Sequence, residues 1–151
     1  MIDEIFSKRL KVLDLEPIIF KLVKDPDSGI PWSVEKADET AILYKQFLFL
    51  FWKYRNSGKT IAPSKTVDQF WHQHQLDTEK YRADCELLFA SKWQKIIAYL
   101  LRYLFKPFGI TISAEYMEHF PYLGMRGESD QKALQQAFEE GKKLLSLHFP
   151  L

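Results

Sequence analysis

Apolar residues recur at helical spacing from the start of the chain. Residues 3–13 have the pattern of a short amphipathic helix, whose apolar positions are Ile5, Phe6, Leu10 and Leu13. Pro17, a residue type favoured in the first turn of a helix, is expected to open a second helix that runs to about Lys24. The residues 25–29 (DPDSG) that follow are typical of a turn.

The third predicted helix is the longest. Ser33 can cap its beginning, and the helical pattern continues to Arg55 and ends near Gly58. Residues 47–52 (FLFLFW) are apolar on every side of such a helix. A helix of this kind is buried on all faces, so we expect it to lie at the centre of the fold.

Capping patterns predict further helices downstream. Thr66 with Gln69 fits a capping box and would open a short helix through Gln75, and Asp77 can cap a helix that follows to about Ala90. A second such box begins a helix at residues 91–94 that would extend to Phe105.

Two more helical segments complete the pattern. Ser113 can cap a single helical turn, and Ser129 would open the last helix. Only residues 109–113 (GITIS) alternate as a strand would, and they are too few for a sheet. The sequence therefore predicts an all-α protein, a single compact multi-helix bundle over residues 1–151 with short loops and an apolar inserted helix at about 91–113.

Composition and charge exclude several classes of function. Lys and Arg total 21 and Asp and Glu total 20, so no overall positive field favours nucleic acid. The single cysteine, Cys85, excludes an intramolecular disulfide and fits a reducing compartment. The N-terminal residues resemble neither a signal peptide nor a transit peptide, and there is no run of about 18 apolar residues. We expect a cytoplasmic protein.

Reactive side chains are concentrated in one segment, residues 67–85 (VDQFWHQHQLDTEKYRADC). Its chemically versatile members are Asp68, His72, His74, Asp77, Tyr81, Asp84 and Cys85. A second block, residues 118–130 (EHFPYLGMRGESD), supplies a third histidine. Imidazole and carboxylate groups suit zinc, iron, nickel or manganese, which makes these two blocks the candidate site.

The two blocks resemble a known family. The pattern V-D-x-x-W-H-x-H-x-L-D-x-x-x-Y-x-x-D-C, followed by H-F-P-Y-x-G-x-R-G-x-x-D, is similar to the glycine-rich domain-containing proteins of plants and their short bacterial relatives. The similarity covers Val67–Cys85 and His119–Asp130 closely and Leu13–Ser64 loosely. This chain has 6 glycines and no glycine-rich tail, and residues 91–113 are longer than the link in close bacterial relatives. The helical domain of the family has no settled activity, so the resemblance indicates which residues matter.

Helical geometry limits how the histidines can cooperate. Residues two positions apart point about 200° apart on an α-helix, so His72 and His74 cannot face one ion from the middle of a helix. Asp68 and His72 share one face, which we expect to carry the polar site. His74 would share the opposite face with Val67, Phe70 and Trp71. Only unwinding of the helix before His74 would let both imidazoles converge.

Three interpretations of the site remain open. In the first, the chain is a ligand- or metal-binding domain that holds one divalent transition metal ion, with zinc favoured. Its metal ligands would be Asp68, His72, His74 and His119, and its ligand-binding residues Tyr81, Asp84, Tyr122 and Arg126. The second is a non-catalytic protein-interaction module in which the motif is a buried polar network, with His72 bonded to Asp68 or Asp84 and Tyr81 closing it. The third is a metal-dependent hydrolase or oxygenase, which needs three protein ligands and an open position.

Residues 91–113 (SKWQKIIAYLLRYLFKPFGITIS) are rich in apolar and aromatic side chains. Their large apolar side chains cover more than half of a helix, so part of that face should remain exposed in a monomer. Exposed apolar patches usually mark an interface. We predict a homo-oligomer or a protein partner bound through residues 93–108. Membrane-surface binding is not expected, because only four basic residues flank the apolar face.

Overall fold

The computed structural model describes residues 2–91 and 128–150, with residues 94, 96, 97, 99–101 and 117 between them. The described helices are α1 (Ile2–Val12), α2 (Glu16–Lys24), α3 (Val34–Tyr54), α4 (Lys65–Leu76), α5 (Thr78–Phe89) and α6 (Glu128–His148). The described residues of 94–101 are helical as well. No strand occurs in these parts of the chain, which confirms the all-α prediction. The strand-like residues 109–113, the predicted turn at Ser113 and the predicted helix end at Phe105 lie outside them.

Several helices begin at the predicted caps. The Ser33 Oγ accepts a hydrogen bond from the backbone N–H of Lys36 at 3.1 Å, and the Asp77 Oδ1 accepts one from Lys80 at 3.1 Å. Ser91 and Gln94 form a reciprocal capping box, with each side chain bonded to the backbone N–H of the other residue. These contacts satisfy N–H groups that the first turn of a helix leaves unpaired.

Two predicted starts were wrong. Helix α4 is capped by Ser64, whose Oγ accepts from the Val67 N–H at 3.3 Å, and Thr66 lies inside the first turn. The backbone N–H of Asp68 already bonds to the Ser64 carbonyl at 2.8 Å, so the helix starts two residues before the predicted capping box. Ser129 likewise lies within α6, because Glu128 is already helical.

Helix α3 is the centre of the bundle, as its all-round apolar pattern predicts. It contacts α1, α2, α4 and α6. Its residues Phe47, Leu48, Phe49, Leu50 and Trp52 are buried in one hydrophobic cluster with residues of the other helices. The ring of Phe6 on α1 stacks on Trp52 with centroids 4.4 Å apart. No helix in the described part of the chain is long and apolar enough to cross a bilayer.

Helix α5 is held at its end by a residue from α1. The Arg9 Nη1 donates to the carbonyl oxygens of Leu88 at 2.7 Å and Ala90 at 3.2 Å. The last carbonyls of a helix lack partners within the helix and carry partial negative charge, which a guanidinium stabilises. Because Arg9 contacts the end of α5, it fixes the position of the helix that carries Tyr81 and Asp84.

The end of α6 packs on α3 through His148. The hydroxyl of Tyr54 lies 2.8 Å from the His148 Nε2, and the His148 ring meets the edge of Phe49 with centroids 5.7 Å apart. Partial burial lowers the pKa of His148, the positive charge of Lys53 lowers it further, and the negative charge of Asp3 opposes both effects. The folded state therefore favours the neutral imidazole.

This shift predicts a loss of stability in mild acid. The unfolded chain protonates His148 near its ordinary pKa of about 6.5, and the folded chain does so only at lower pH. The unfolded state therefore binds more protons below pH 6.5, and the free energy of unfolding falls as the pH drops through this window. We expect urea titrations at pH 7.5 and 5.5 to show a smaller drop for His148→Gln than for the wild type. Equal drops in both proteins would contradict this assignment.

Candidate functional site

Helix α4 is regular over the whole histidine motif and separates its two histidines. Val67, Phe70 and Trp71 are buried on one face with His74, whose exposed fraction is 1%. His72 is exposed. The predicted position of His74 on the buried face is therefore confirmed, and the two imidazoles do not converge because α4 remains helical to Leu76.

His74 uses both of its ring nitrogens inside the bundle. The Nδ1 lies 3.0 Å from the hydroxyl of Tyr44 on α3, and the Nε2 lies 2.9 Å from the Asp84 Oδ2 on α5. The same carboxylate oxygen accepts a hydrogen bond from the Lys80 Nζ at 2.8 Å. One of the three interpretations put His72 in a buried polar network. The structure places His74 there, because the buried face of α4 is the one that meets α3 and α5.

The partners of His74 determine where its proton lies. A carboxylate only accepts hydrogen bonds, so the Nε2 must carry hydrogen and donate to Asp84. The Nδ1 of a neutral ring then accepts a hydrogen bond from the Tyr44 hydroxyl. Burial raises the pKa of Tyr44, and the nearby Tyr81, Cys85 and Asp84 raise it further. Tyr44 therefore remains a protonated donor at neutral pH.

Tyr81 forms a second chain of hydrogen bonds beside this one. The Trp71 Nε1 donates to the Tyr81 hydroxyl at 2.9 Å, and that hydroxyl donates to the Met117 carbonyl at 2.7 Å. The Tyr81 ring meets the His74 ring edge-on, with centroids 5.0 Å apart. Burial raises the pKa of Tyr81, which keeps its hydroxyl protonated. Met117 is two residues before His119. The hydrogen bond from Tyr81 therefore links the first motif to the residues just before the second.

The order carboxylate, imidazole, hydroxyl is also the order of groups in a nucleophilic catalytic triad. A nucleophile must reach the substrate, and its hydroxyl must lose a proton easily. Tyr44 fails on both counts, because its exposed fraction is 0% and its pKa is raised. No fully buried side-chain polar atom of the described residues lacks a hydrogen-bond partner. The arrangement is chemically suited to holding α3, α4 and α5 together.

The remaining predicted site residues lie elsewhere on α4 or outside the described residues. Asp68 is half-buried, one turn before His72 on α4. His119, Tyr122 and Arg126 are not among the described residues. Within the part of the chain that the structure describes, no three His, Cys, Asp or Glu side chains are grouped so that they could hold a metal ion. A metal ion at His74 would have to replace a hydrogen bond to Tyr44 or Asp84.

Sequence reasoning missed two members of the cluster. Lys80 is four residues before Asp84 on α5, a helical ion-pair spacing that could have identified it. Tyr44 is thirty residues from His74 along the chain, and no local pattern marks it as a partner. Cys85 is buried in the core.

Comparisons with known proteins do not assign the site. No family model, no curated protein and no solved structure matches this chain. The resemblance to glycine-rich domain-containing proteins therefore stays a prediction from the motif residues.

The geometry predicts opposite outcomes for the two histidines of α4. His74→Leu leaves the Tyr44 hydroxyl and the Asp84 carboxylate without their buried partner, and each such loss costs about 1–3 kcal/mol. We expect a total loss of about 2–5 kcal/mol in the free energy of unfolding, measured by urea titration. His72→Leu, the matched control on the exposed face, should change it by less than about 1 kcal/mol. A larger loss for His72→Leu than for His74→Leu would overturn the role given to His74.

Proposed function

We propose that this chain is a non-catalytic interaction domain that self-associates through the exposed apolar face of residues 96–100. In this proposal the histidine motif is a buried polar cluster that fixes the bundle. The observation that carries the proposal is the exposure of Ile96, Ile97, Tyr99 and Leu100 to solvent, each by at least 40%. Large apolar side chains gathered in this way usually mark a protein-binding surface.

These side chains share one side of their helix. Ile96 and Leu100 are one turn apart, and Ile97 and Tyr99 lie on either side of them. The sequence predicts that residues 102–108 continue the same apolar face, although they lie outside the described residues. A second copy of the chain is the occupant we propose, because its surface also carries exposed apolar side chains that can cover this face. The net charge of +1 adds little repulsion between copies.

The expected affinity follows from the apolar area involved. Fully burying a Leu or Ile side chain gains about 1.5–3 kcal/mol, so a half-exposed one gains about 1 kcal/mol. Four side chains of this face and a matching apolar area on the other copy then supply about 8 kcal/mol, and association itself costs at least about 4 kcal/mol. The described face alone supports a dissociation constant of about 1 mM, and further apolar residues would tighten it. Self-association must therefore be measured up to high protein concentration.

The test compares two leucines of equal exposure. Leu100 and Leu76 are both 54% exposed. In sedimentation velocity from about 20 μM to 1 mM, we expect the sedimentation coefficient to increase with concentration for the wild type and for the control Leu76→Asp. Leu100→Asp should abolish it, because a carboxylate cannot be buried in an apolar contact without a partner. A wild type that stays monomeric at 1 mM, or an associating Leu100→Asp, would refute the proposal.

Metal binding is a second candidate function, favoured by the positions of Asp68 and His72. They are one turn apart on a regular helix, on the side of α4 away from the core, so both can approach one ion. Zinc sites need at least three protein ligands, and His119 is the further ligand that we propose. Hydrolase or oxygenase chemistry would additionally require an open coordination position, so it depends on this metal site.

Elemental analysis tests the metal proposal directly. Protein that has been purified and challenged with zinc, iron, nickel and manganese should retain about one ion per chain if the site exists. His72→Ala should abolish retention, because it removes a ligand while leaving the buried cluster unchanged. His148→Ala is the control, since His148 is the last residue of α6, contacts Tyr54 and lies outside the two motifs. Wild-type protein without bound metal after the challenge would eliminate both the metal site and the enzyme built on it.

We also propose a cytoplasmic location. The single cysteine, Cys85, is a free thiol buried in the core, which is consistent with a reducing compartment.

A further inference from the structure

A shallow apolar groove lies between the beginning of α2 and the middle of α3. Its volume is about 200 Å³, and its apolar lining is formed by Leu13, Leu15, Ile19, Ala41 and Ile42. Leu13 and Leu15 are buried, whereas Ile42 is 61% exposed and stands in solvent. An apolar cavity of about 150 Å³ accepts a molecule the size of benzene, so this groove has room for one or two aliphatic side chains.

The rim of the groove is acidic. Asp14 and Glu16 both border it and are exposed. Among the described residues that line the groove, only Lys45 is basic, and its Nζ donates to the Leu13 carbonyl at 2.8 Å, which holds the ammonium against the protein. An apolar ligand with positive charge around it is therefore the chemistry that this groove fits.

The helix that begins at Ser91 has this chemistry. Ile96, Ile97 and Leu100 form an exposed apolar ridge at the spacing by which a helix inserts into a groove. Residues 91–113 contain four basic residues (Lys92, Lys95, Arg102 and Lys106) and no acidic residue. An apolar ridge in a basic segment complements an apolar groove with an acidic rim.

We infer that the Ile96–Leu100 ridge of one copy docks into the Leu13–Ile42 groove of a second copy. The inference rests on the proposed self-association and names the surface that receives the helix. Docking is between copies, because Ile42 and the ridge are both exposed in the same chain, which shows that the chain does not cover its own groove. The contact joins two different surfaces, so a pair held by one contact leaves one groove and one ridge free, and these either join each other in a two-fold dimer or bind further copies.

The experiment blocks each surface separately and then combines the two blocked proteins. Ile42→Asp places a carboxylate in the groove, and Leu100→Asp places one on the ridge. Ile5→Asp is the matched control, because Ile5 is a helical isoleucine that is 51% exposed and does not line the groove. Sedimentation velocity is measured for each protein alone and for a 1:1 mixture of the two blocked proteins, and circular dichroism verifies that every variant is folded.

We expect each blocked protein to be a monomer at concentrations where the wild type and Ile5→Asp associate. The mixture should form a 1:1 heterodimer and nothing larger, because Ile42→Asp still supplies a ridge and Leu100→Asp still supplies a groove. The dissociation constant for two molecules of one blocked protein should rise at least about tenfold.

The contrary results separate this inference from the proposed function. If Ile42→Asp associates like the wild type and Leu100→Asp does not, the ridges pair with each other, so the proposed function stands and the groove is not the receptor. If both blocked proteins are monomers and their mixture stays monomeric, the ridge and the groove do not bind each other, and the inference is overturned. A monomeric wild type overturns both.

Discussion

The buried imidazole of His74 imposes the strongest constraint on this fold. Both of its nitrogens are out of reach of water. Helix α3 must therefore supply a hydroxyl that donates to the Nδ1, and α5 must supply a carboxylate that accepts from the Nε2. An unpaired polar group in the core would lower the free energy of unfolding by about as much as the burial of several methyl groups raises it. The relative positions of three helices are therefore coupled to one side chain, and Tyr81 extends that coupling to Met117.

This arrangement changes how the motif is interpreted. Histidine, aspartate and tyrosine at short spacing suggest catalysis or metal binding when the sequence is considered alone. In the folded chain the same residue types are divided between a closed interior, where His74 and Tyr44 lie, and an outer face of α4, where His72 is exposed. Reactive chemistry needs access to solvent or substrate, so any function in binding must come from the outer face or from other surfaces.

The surface features differ from the core in their chemistry. The core is aromatic and contains polar groups paired to one another, whereas the ridge at residues 96–100 is apolar and uncovered. The groove beside Ile42 is apolar with acidic residues at its edge. Uncovered apolar surface is unfavourable in water, which would provide the driving force for the proposed association.

The sequence alone determined the features that depend on residues close together along the chain. The caps at Ser33, Asp77 and Ser91, the central position of α3 and the buried face of α4 follow from local hydrogen bonding and helical periodicity. The start of α4 was missed because Ser64 and Thr66 are equally suitable caps, and only backbone geometry selects one of them.

The identity of the histidine in the cluster required tertiary structure. Periodicity shows that His72 and His74 lie on opposite faces, but the packing of α4 against α3 and α5 decides which face finds polar partners. Tyr44 is distant in sequence, so its pairing with His74 exists only once the helices are in contact. The groove between α2 and α3 has the same origin, since its lining comes from two stretches of chain that only the fold brings together.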